Sequence, residues 1–251
     1  MSQFDDFVRA YESDEYLPVR RHIEAHSFFR ALGDVSGLSV LDVGCGAGLY
    51  TRLLRERGAR QAVGLDAAEN MITYARSREA EEGRGIQYVV DDVTNAAAHG
   101  PVDVVTAIYV LPYASDADSY CAMAKGIYDA LQPGGRLVAM PLAPTVCYEP
   151  DDYYRPYGFT LHPDRADHQG LESVPDFAPL RLRTVPEEIP LDVVAYHLSS
   201  ATQEQLLWKV GFSSLTWHRP EASAEGIDRF GAAFWQDYLD RPHSAPLVCV
   251  K

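Results

Sequence analysis

Val40-Leu-Asp-Val-Gly-Cys-Gly-Ala-Gly48 decides how this chain is read. An apolar run from Leu38 to Val43 leads straight into Asp42-x-Gly44-x-Gly46-x-Gly48. The segment from Tyr50 to Arg57 then sets Leu53 and Leu54 on one face and arginines on the other, with Gly58 as a stop signal. A second apolar strand follows at Ala62-Val-Gly-Leu-Asp66. Strand, glycine turn, helix and strand make a βαβ unit, and glycines at its turn let a ligand approach bare main chain. A dinucleotide fingerprint, G-x-G-x-x-G, would need its third glycine at position 49, which is Leu49, so the spacing speaks against a nicotinamide cofactor.

Outward from this unit the alternation continues. It predicts a helix over Glu69–Glu82, a strand over Ile86–Val90, a strand over Val102–Val110, a helix over Asp118–Leu131 and, past Pro133-Gly-Gly135, a strand over Arg136–Met140. Strands alternating with helices predict an α/β fold with a parallel, doubly wound sheet. Past Pro144 the rhythm fails in a proline- and aromatic-rich stretch, read as an insertion over 144–200. Within it, Leu180–Val185 and Leu191–Leu198 are read as a hairpin that forms a lid. The regular pattern resumes with a helix over Thr202–Val210, a strand over Ser214–His218, a helix over Ile227–Leu239 and a strand over Pro246–Val250. With no repeat and no long linker, residues 1–251 are expected to form one domain.

Composition narrows the function by exclusion. With 36 acidic against 22 basic residues the formal charge is −14, a field that repels polyanions and argues against nucleic-acid partners. The same balance also serves solubility alone. Four dispersed cysteines (Cys45, Cys121, Cys147, Cys249) form no C-x-x-C pair, which suggests neither a metal site nor a disulfide framework. The polar, acidic first residues are unlike a signal peptide, and no long apolar run suggests a membrane span, so a cytoplasmic protein without membrane partners is expected.

The glycine motif resembles that of class I S-adenosylmethionine-dependent methyltransferases, and the likeness runs from the first strand through Met140 and returns at the C-terminal end. It implies a Rossmann-like, mostly parallel seven-stranded sheet with an antiparallel C-terminal strand. It implies S-adenosylmethionine as cofactor, with Gly44, Gly46 and Gly48 under its methionine part and Asp42 ordering the loop near the amino group. Asp66 would accept both ribose hydroxyls, although an aspartate there also suits a helix N-cap. Asp92 would accept from the adenine amino group with Val93 beside the ring, Asp91 being the alternative. Ala67, Met71 and Ile108 would wall the adenosine, or equally pack the core. Residues 1–35 resemble the helical lid of small-molecule methyltransferases, with Tyr11, Tyr16 and Arg20 as contacts and the Arg20 guanidinium suited to the methionine carboxylate.

For the acceptor the candidates are Tyr109, Tyr113, Tyr157, His162 and His197. Tyr109, ending the fourth strand, and His197, near the end of the hairpin, are preferred as the contacts nearest the chemistry. The aromatic insertion and Phe234-Trp-Gln-Asp-Tyr-Leu239 resemble methyltransferases of bacterial secondary metabolism, with a looser likeness to azapteridine N-methyltransferases of the toxoflavin type. That likeness implies N- or O-methylation of a planar heteroaromatic small molecule, and a monomer or homodimer is expected. Two other readings stay open: a nicotinamide oxidoreductase, and a methyltransferase-like protein that keeps the cofactor for other chemistry or for interaction.

Overall fold

The computed structural model describes residues 17–148, 152–163, 174–185 and 191–251, and the statements below concern those residues. Strands β1 (Ser39–Val43), β2 (Gln61–Asp66), β3 (Gln87–Val90), β4 (Val102–Ile108), β5 (Leu131–Met140), β9 (Ser214–Trp217) and β10 (Leu247–Val250) form one sheet. Its order is β3-β2-β1-β4-β5-β10-β9, with β10 antiparallel to both neighbours and β1 to β5 parallel. This is the seven-stranded, mostly parallel, Rossmann-like sheet that the sequence predicts. Strand order switches between β1 and the parallel β4, so the loops leaving their carboxyl ends diverge and open a crevice.

Every residue of β1 is buried because helices cover both faces. Leu41, Val43, Val105 and Ala107 pack on one side with Tyr120 and Ile127 of α4 (Ala117–Ala130) and Leu207 of α5 (Ser200–Val210). Val40, Val104 and Val138 point the other way, onto Phe28 and Leu32 of α1 (His26–Leu32) and Leu54 of α2 (Leu49–Glu56). The strand period of two sorts the side chains, and each fully buried Leu or Phe contributes about 1.5–3 kcal/mol. A π-helical segment, Arg20–Ala25, runs directly into α1, and α3 (Glu69–Glu82) follows β2. No helix among the described residues is long and apolar enough to cross a membrane.

One close approach matters for the site. Gly126 of α4 lies so near the 3₁₀ turn Val93–His99 that a Cβ would sit 2.4 Å from the Val93 carbonyl oxygen and 2.8 Å from that of Thr94. Main-chain oxygens cannot swing aside as a side chain can. Gly126→Ala should therefore lower stability by about 2 kcal/mol despite alanine's better helix propensity. An unchanged urea midpoint would show that the turn yields.

Two expectations need correction. The inserted sheet has three strands, β6 (Phe159–Pro163), β7 (Pro179–Thr184) and β8 (Asp192–Tyr196), so the hairpin exists but β6 lies along it. Five residues ending in proline carry little strand signal of their own. The helix expected over Ile227–Leu239 is two, α6 (Ala224–Phe230) and α7 (Ala232–Asp240), because the chain turns at Gly231 with φ +85°, a conformation glycine tolerates. Tyrosine hydroxyls tie the insertion to α7 and the residue after it: Tyr157 donates to the Phe234 carbonyl at 3.0 Å and Tyr154 to that of Arg241 at 2.9 Å.

Candidate active site

The carboxyl ends of β1, β2, β3 and β4 border a cavity of about 460 Å³. At its floor Asp42 is buried, accepting from Thr51 Oγ1 and Thr106 Oγ1 at 2.7 Å each. Burial raises its carboxyl to a pKa of about 6 against those two hydrogen bonds, which favour the ionised form. In the loop after β1, Gly44 has φ +63° and a Cβ there would lie 2.4 Å from Val110 Cγ2, whereas a Cβ on Gly46, φ +54°, would meet nothing within 4 Å. Gly46 therefore presents main chain to open space. Gly48 is different: it is buried under Tyr88 at the N-cap of α2 and does not line the cavity.

Asp66 ends β2, and its two oxygens accept from Gly46 N and Ala68 N at 2.8 Å each, pinning the glycine loop and turning the chain towards α3. It borders the cavity together with Ala67 and Met71. After β3 the two neighbouring acids are held differently. Asp91 is engaged by Asn95 at 2.9 Å and His99 at 2.8 Å, hydrogen bonds that pull its pKa down. Asp92 caps the 3₁₀ turn through one oxygen, Oδ1, which accepts from Thr94 N and Oγ1. Both line the cavity, as do Val93 and Ile108.

Aromatic side chains also line the cavity: Tyr50 from the first turn of α2, Tyr109 and Tyr113 after β4, and Tyr196, with Val194, from β8. Arg20 reaches the cavity from the π-helical segment. Tyr109 stands in the left-handed region, φ +56°, uncommon for a non-glycine residue. Its hydroxyl lies 3.2 Å from His243 Nε2 and 3.0 Å from Ser244 Oγ, and burial pushes its pKa well up.

Several candidate residues do not converge here. His197 turns away because strand neighbours point to opposite faces: Tyr196 faces the cavity, while His197 Nδ1 lies 2.7 Å from the Tyr148 hydroxyl in a separate hollow beside Cys147 and Arg241. His162 sits on β6 opposite Arg181, its Nδ1 3.3 Å from the Pro163 carbonyl oxygen, and does not line the cavity. Tyr157 is buried in the aromatic seam with α7. Tyr11 and Tyr16 lie outside the described residues. Tyr50 and Tyr196 were not foreseen, though the first was findable as the residue one past the loop-closing Leu49 and the second by strand parity.

Residues 40–135 match the model of the methyltransferase domain family. Within that segment the chain resembles methyltransferase domains, and the sheet order above has the fold of S-adenosylmethionine-dependent methyltransferases. Over 103 residues, 40% of this chain, the domain is 40% identical to the ubiquinone biosynthesis O-methyltransferase of Idiomarina loihiensis, 41% of which is covered. The chain spans less than half the length of the curated relatives it matches. The fold as a whole is similar to the S-adenosylmethionine-dependent methyltransferase of Mesorhizobium loti, with a TM-score of 0.60 and 20% identity over 91% of this chain and 97% of that one. It is also similar to magnesium protoporphyrin IX methyltransferase of Synechocystis with bound S-adenosylhomocysteine, with a TM-score of 0.58 and 19% identity over 99% and 93%.

Proposed function

We propose that this protein transfers a methyl group from S-adenosylmethionine to a planar heteroaromatic small molecule. One observation carries the reading: a single cavity is lined by acids, bare glycine main chain and several tyrosines. The acids and glycines suit the donor. Asp66 would accept the ribose hydroxyls, Asp92 the adenine amino hydrogens, and Arg20 would pair with the carboxylate, while Ala67, Met71, Val93 and Ile108 offer apolar walls. Gly46 leaves the space that a side chain would fill. Bound there, the cofactor supplies a methyl group on a sulfonium, an electrophile with a good leaving group. The chain's own work is then to align the acceptor and keep water out.

Tyr50, Tyr109, Tyr113 and Tyr196 suit a flat ring held by stacking. Tyr109 keeps its proton at neutral pH, and none of the described residues lining the cavity is a histidine. This suits an acceptor that brings its own lone pair, a ring nitrogen or an oxygen already ionised. The name of the Idiomarina relative supports an aromatic acceptor of another kind, a quinol oxygen. Cys45, Cys121, Cys147 and Cys249 form no disulfide among the described residues, which suits a reducing compartment.

The test is methyl transfer from methyl-labelled S-adenosylmethionine to the pteridine dione lumazine and to 1,4-naphthohydroquinone, with products identified by mass. Label in lumazine is expected. Label in the quinol alone would move the acceptor class, and no transfer to either despite donor binding would overturn it. Tyr196→Ala should lower turnover about tenfold with donor affinity unchanged, while His197→Gln should match the parent protein.

A further inference from the structure

Behind Tyr109, three parts of the chain that are distant in sequence meet in a dry polar cluster. Glu24 comes from the π-helical segment, Tyr238 from α7, and His243 and Ser244 from the stretch before β10; all four are buried. His243 Nδ1 lies 2.8 Å from the Tyr238 hydroxyl, and its Nε2 lies 3.2 Å from the Tyr109 hydroxyl and 3.6 Å from Glu24 Oε1. The Tyr109 and His243 rings stack nearly parallel, with centroids 5.8 Å apart and an interplanar angle of 17°. Phe159 of β6 also packs on the imidazole, with ring centroids 4.6 Å apart. None of these groups except Tyr109 lines the cavity, so the reaction proposed above leaves the cluster without a duty.

We propose that His243 is a positioning residue for Tyr109: it anchors the phenol oxygen behind the wall so that the ring is the surface the acceptor meets. This rests on the reading that the acceptor lies against Tyr109. The hydrogen-bond inventory supports it. Burial keeps the imidazole neutral, pushing its pKa down to about 3, so it has one N–H to give. A carboxylate facing Nε2 favours the hydrogen on that nitrogen, since a bare lone pair there would be repelled. Nδ1 then accepts from the Tyr238 hydroxyl, Nε2–H is directed at the Tyr109 oxygen and Glu24, and the Tyr109 hydrogen goes to Ser244 Oγ. The imidazole N–H and the two phenol hydrogens each have an acceptor, and the Tyr109 oxygen is committed to the cluster.

Backbone strain gives the second argument. A tyrosine at φ +56° costs about 1–2 kcal/mol and persists only where its surroundings over-determine it. The hydrogen bonds to His243 and Ser244, with the ring stack, are that determination. Without them the residue would relax towards an ordinary conformation, and the ring would leave its place at the end of β4. The π-helical turn fits the same picture, because such turns cost helix stability and recur where a side chain must be aimed; here Arg20 of that turn borders the cavity while Glu24 meets His243.

The experiment has a spectroscopic and a kinetic arm. In protein labelled with ¹⁵N in the histidine rings, the His243 signals, assigned by their loss in His243→Asn, are expected to show a neutral ring with its hydrogen on Nε2 at pH 7. Tyr109→Phe should shift the Nε2 signal more than Nδ1. A doubly protonated ring, a hydrogen on Nδ1, or signals indifferent to Tyr109→Phe would overturn the proposal. In the kinetic arm, lumazine is the acceptor and S-adenosylhomocysteine affinity is followed in parallel. His243→Phe should cut kcat about tenfold, the size of one lost hydrogen bond, leave S-adenosylhomocysteine affinity within about twofold, and be partly rescued in His243→Gln. In a Tyr109→Phe background the same change should add almost nothing, because the two residues act as one unit. Losses that multiply would mean that His243 acts on structure alone. Absence of methyl transfer to lumazine in the parent protein would refute the acceptor reading, while the ring signals would still decide the link between His243 and Tyr109.

Discussion

Asp66→Ala is expected to weaken binding of S-adenosylmethionine and S-adenosylhomocysteine about a hundredfold. Two charge-assisted hydrogen bonds to a diol would go, worth about 1.5–3 kcal/mol each before water competes for the freed hydroxyls. A second effect adds to this. The Asp66 oxygens also accept from Gly46 N and Ala68 N, so alanine leaves the glycine loop without its tie to β2. Stability should therefore fall as well, by about 1–2 kcal/mol. Asp66→Asn separates the two effects, because its single oxygen can keep one backbone donor while its amide nitrogen confronts the other. Titration calorimetry with S-adenosylhomocysteine reads the first effect and urea unfolding the second. An affinity for either ligand within threefold of the parent in Asp66→Ala would remove Asp66 from the donor site.

Asp42→Asn should reverse the usual expectation that losing a buried hydrogen-bonded acid destabilises. Burial lifts the Asp42 carboxyl from an ordinary value of 3.8 to about 6, so the folded protein holds a proton that the unfolded chain releases. A raised acid contributes its full stability below pH 4 and loses it as pH climbs through 6. The lift corresponds to about 3 kcal/mol. Asparagine has no proton to lose, and it can accept from one threonine hydroxyl and donate to the other. Stability relative to the parent should thus move by about 2 kcal/mol in favour of Asp42→Asn between pH 4 and pH 7, measured by urea unfolding at both. An equal difference at the two pH values would show that Asp42 is not the group that titrates. A carboxylate kept at this cost in the floor of the cavity suits a donor whose reactive end is cationic.

The part of the cavity lined by glycine and acids was legible because its signal is local. A strand, the glycines Gly44 and Gly46 and an acid at the end of the next strand lie within residues 40–66, and all of them come to the carboxyl edge of the sheet. The part lined by tyrosines was not. His197 and Tyr196 differ by one position, and without the register of β8 their facing is a coin toss; the structure turns Tyr196 inward. Tyr157 reads as a pocket aromatic in sequence, yet its hydroxyl is spent on the Phe234 carbonyl, a partner 77 residues away. Glu24 and His243 carry no pattern at all, since what places them is packing between the two ends of the chain. Tyr109 was found by its position after β4, but its left-handed backbone was invisible to any periodicity.

Tyr109 and His243 are separated by 134 residues, and that distance has a consequence in time. A ribosome adding about 5–20 residues per second completes the strands and acids of the donor half on the order of ten seconds before it makes the imidazole that holds the tyrosine. During that interval the parallel strands can already pair and cover their apolar faces. The acceptor wall cannot yet exist, because β8, α7 and His243 are still to come. A nascent chain of this protein therefore passes through a stage in which the glycine loop, Asp66 and Asp92 are already made while β8, α7 and His243 are not, and the support behind Tyr109 arrives only as the last strand closes the sheet.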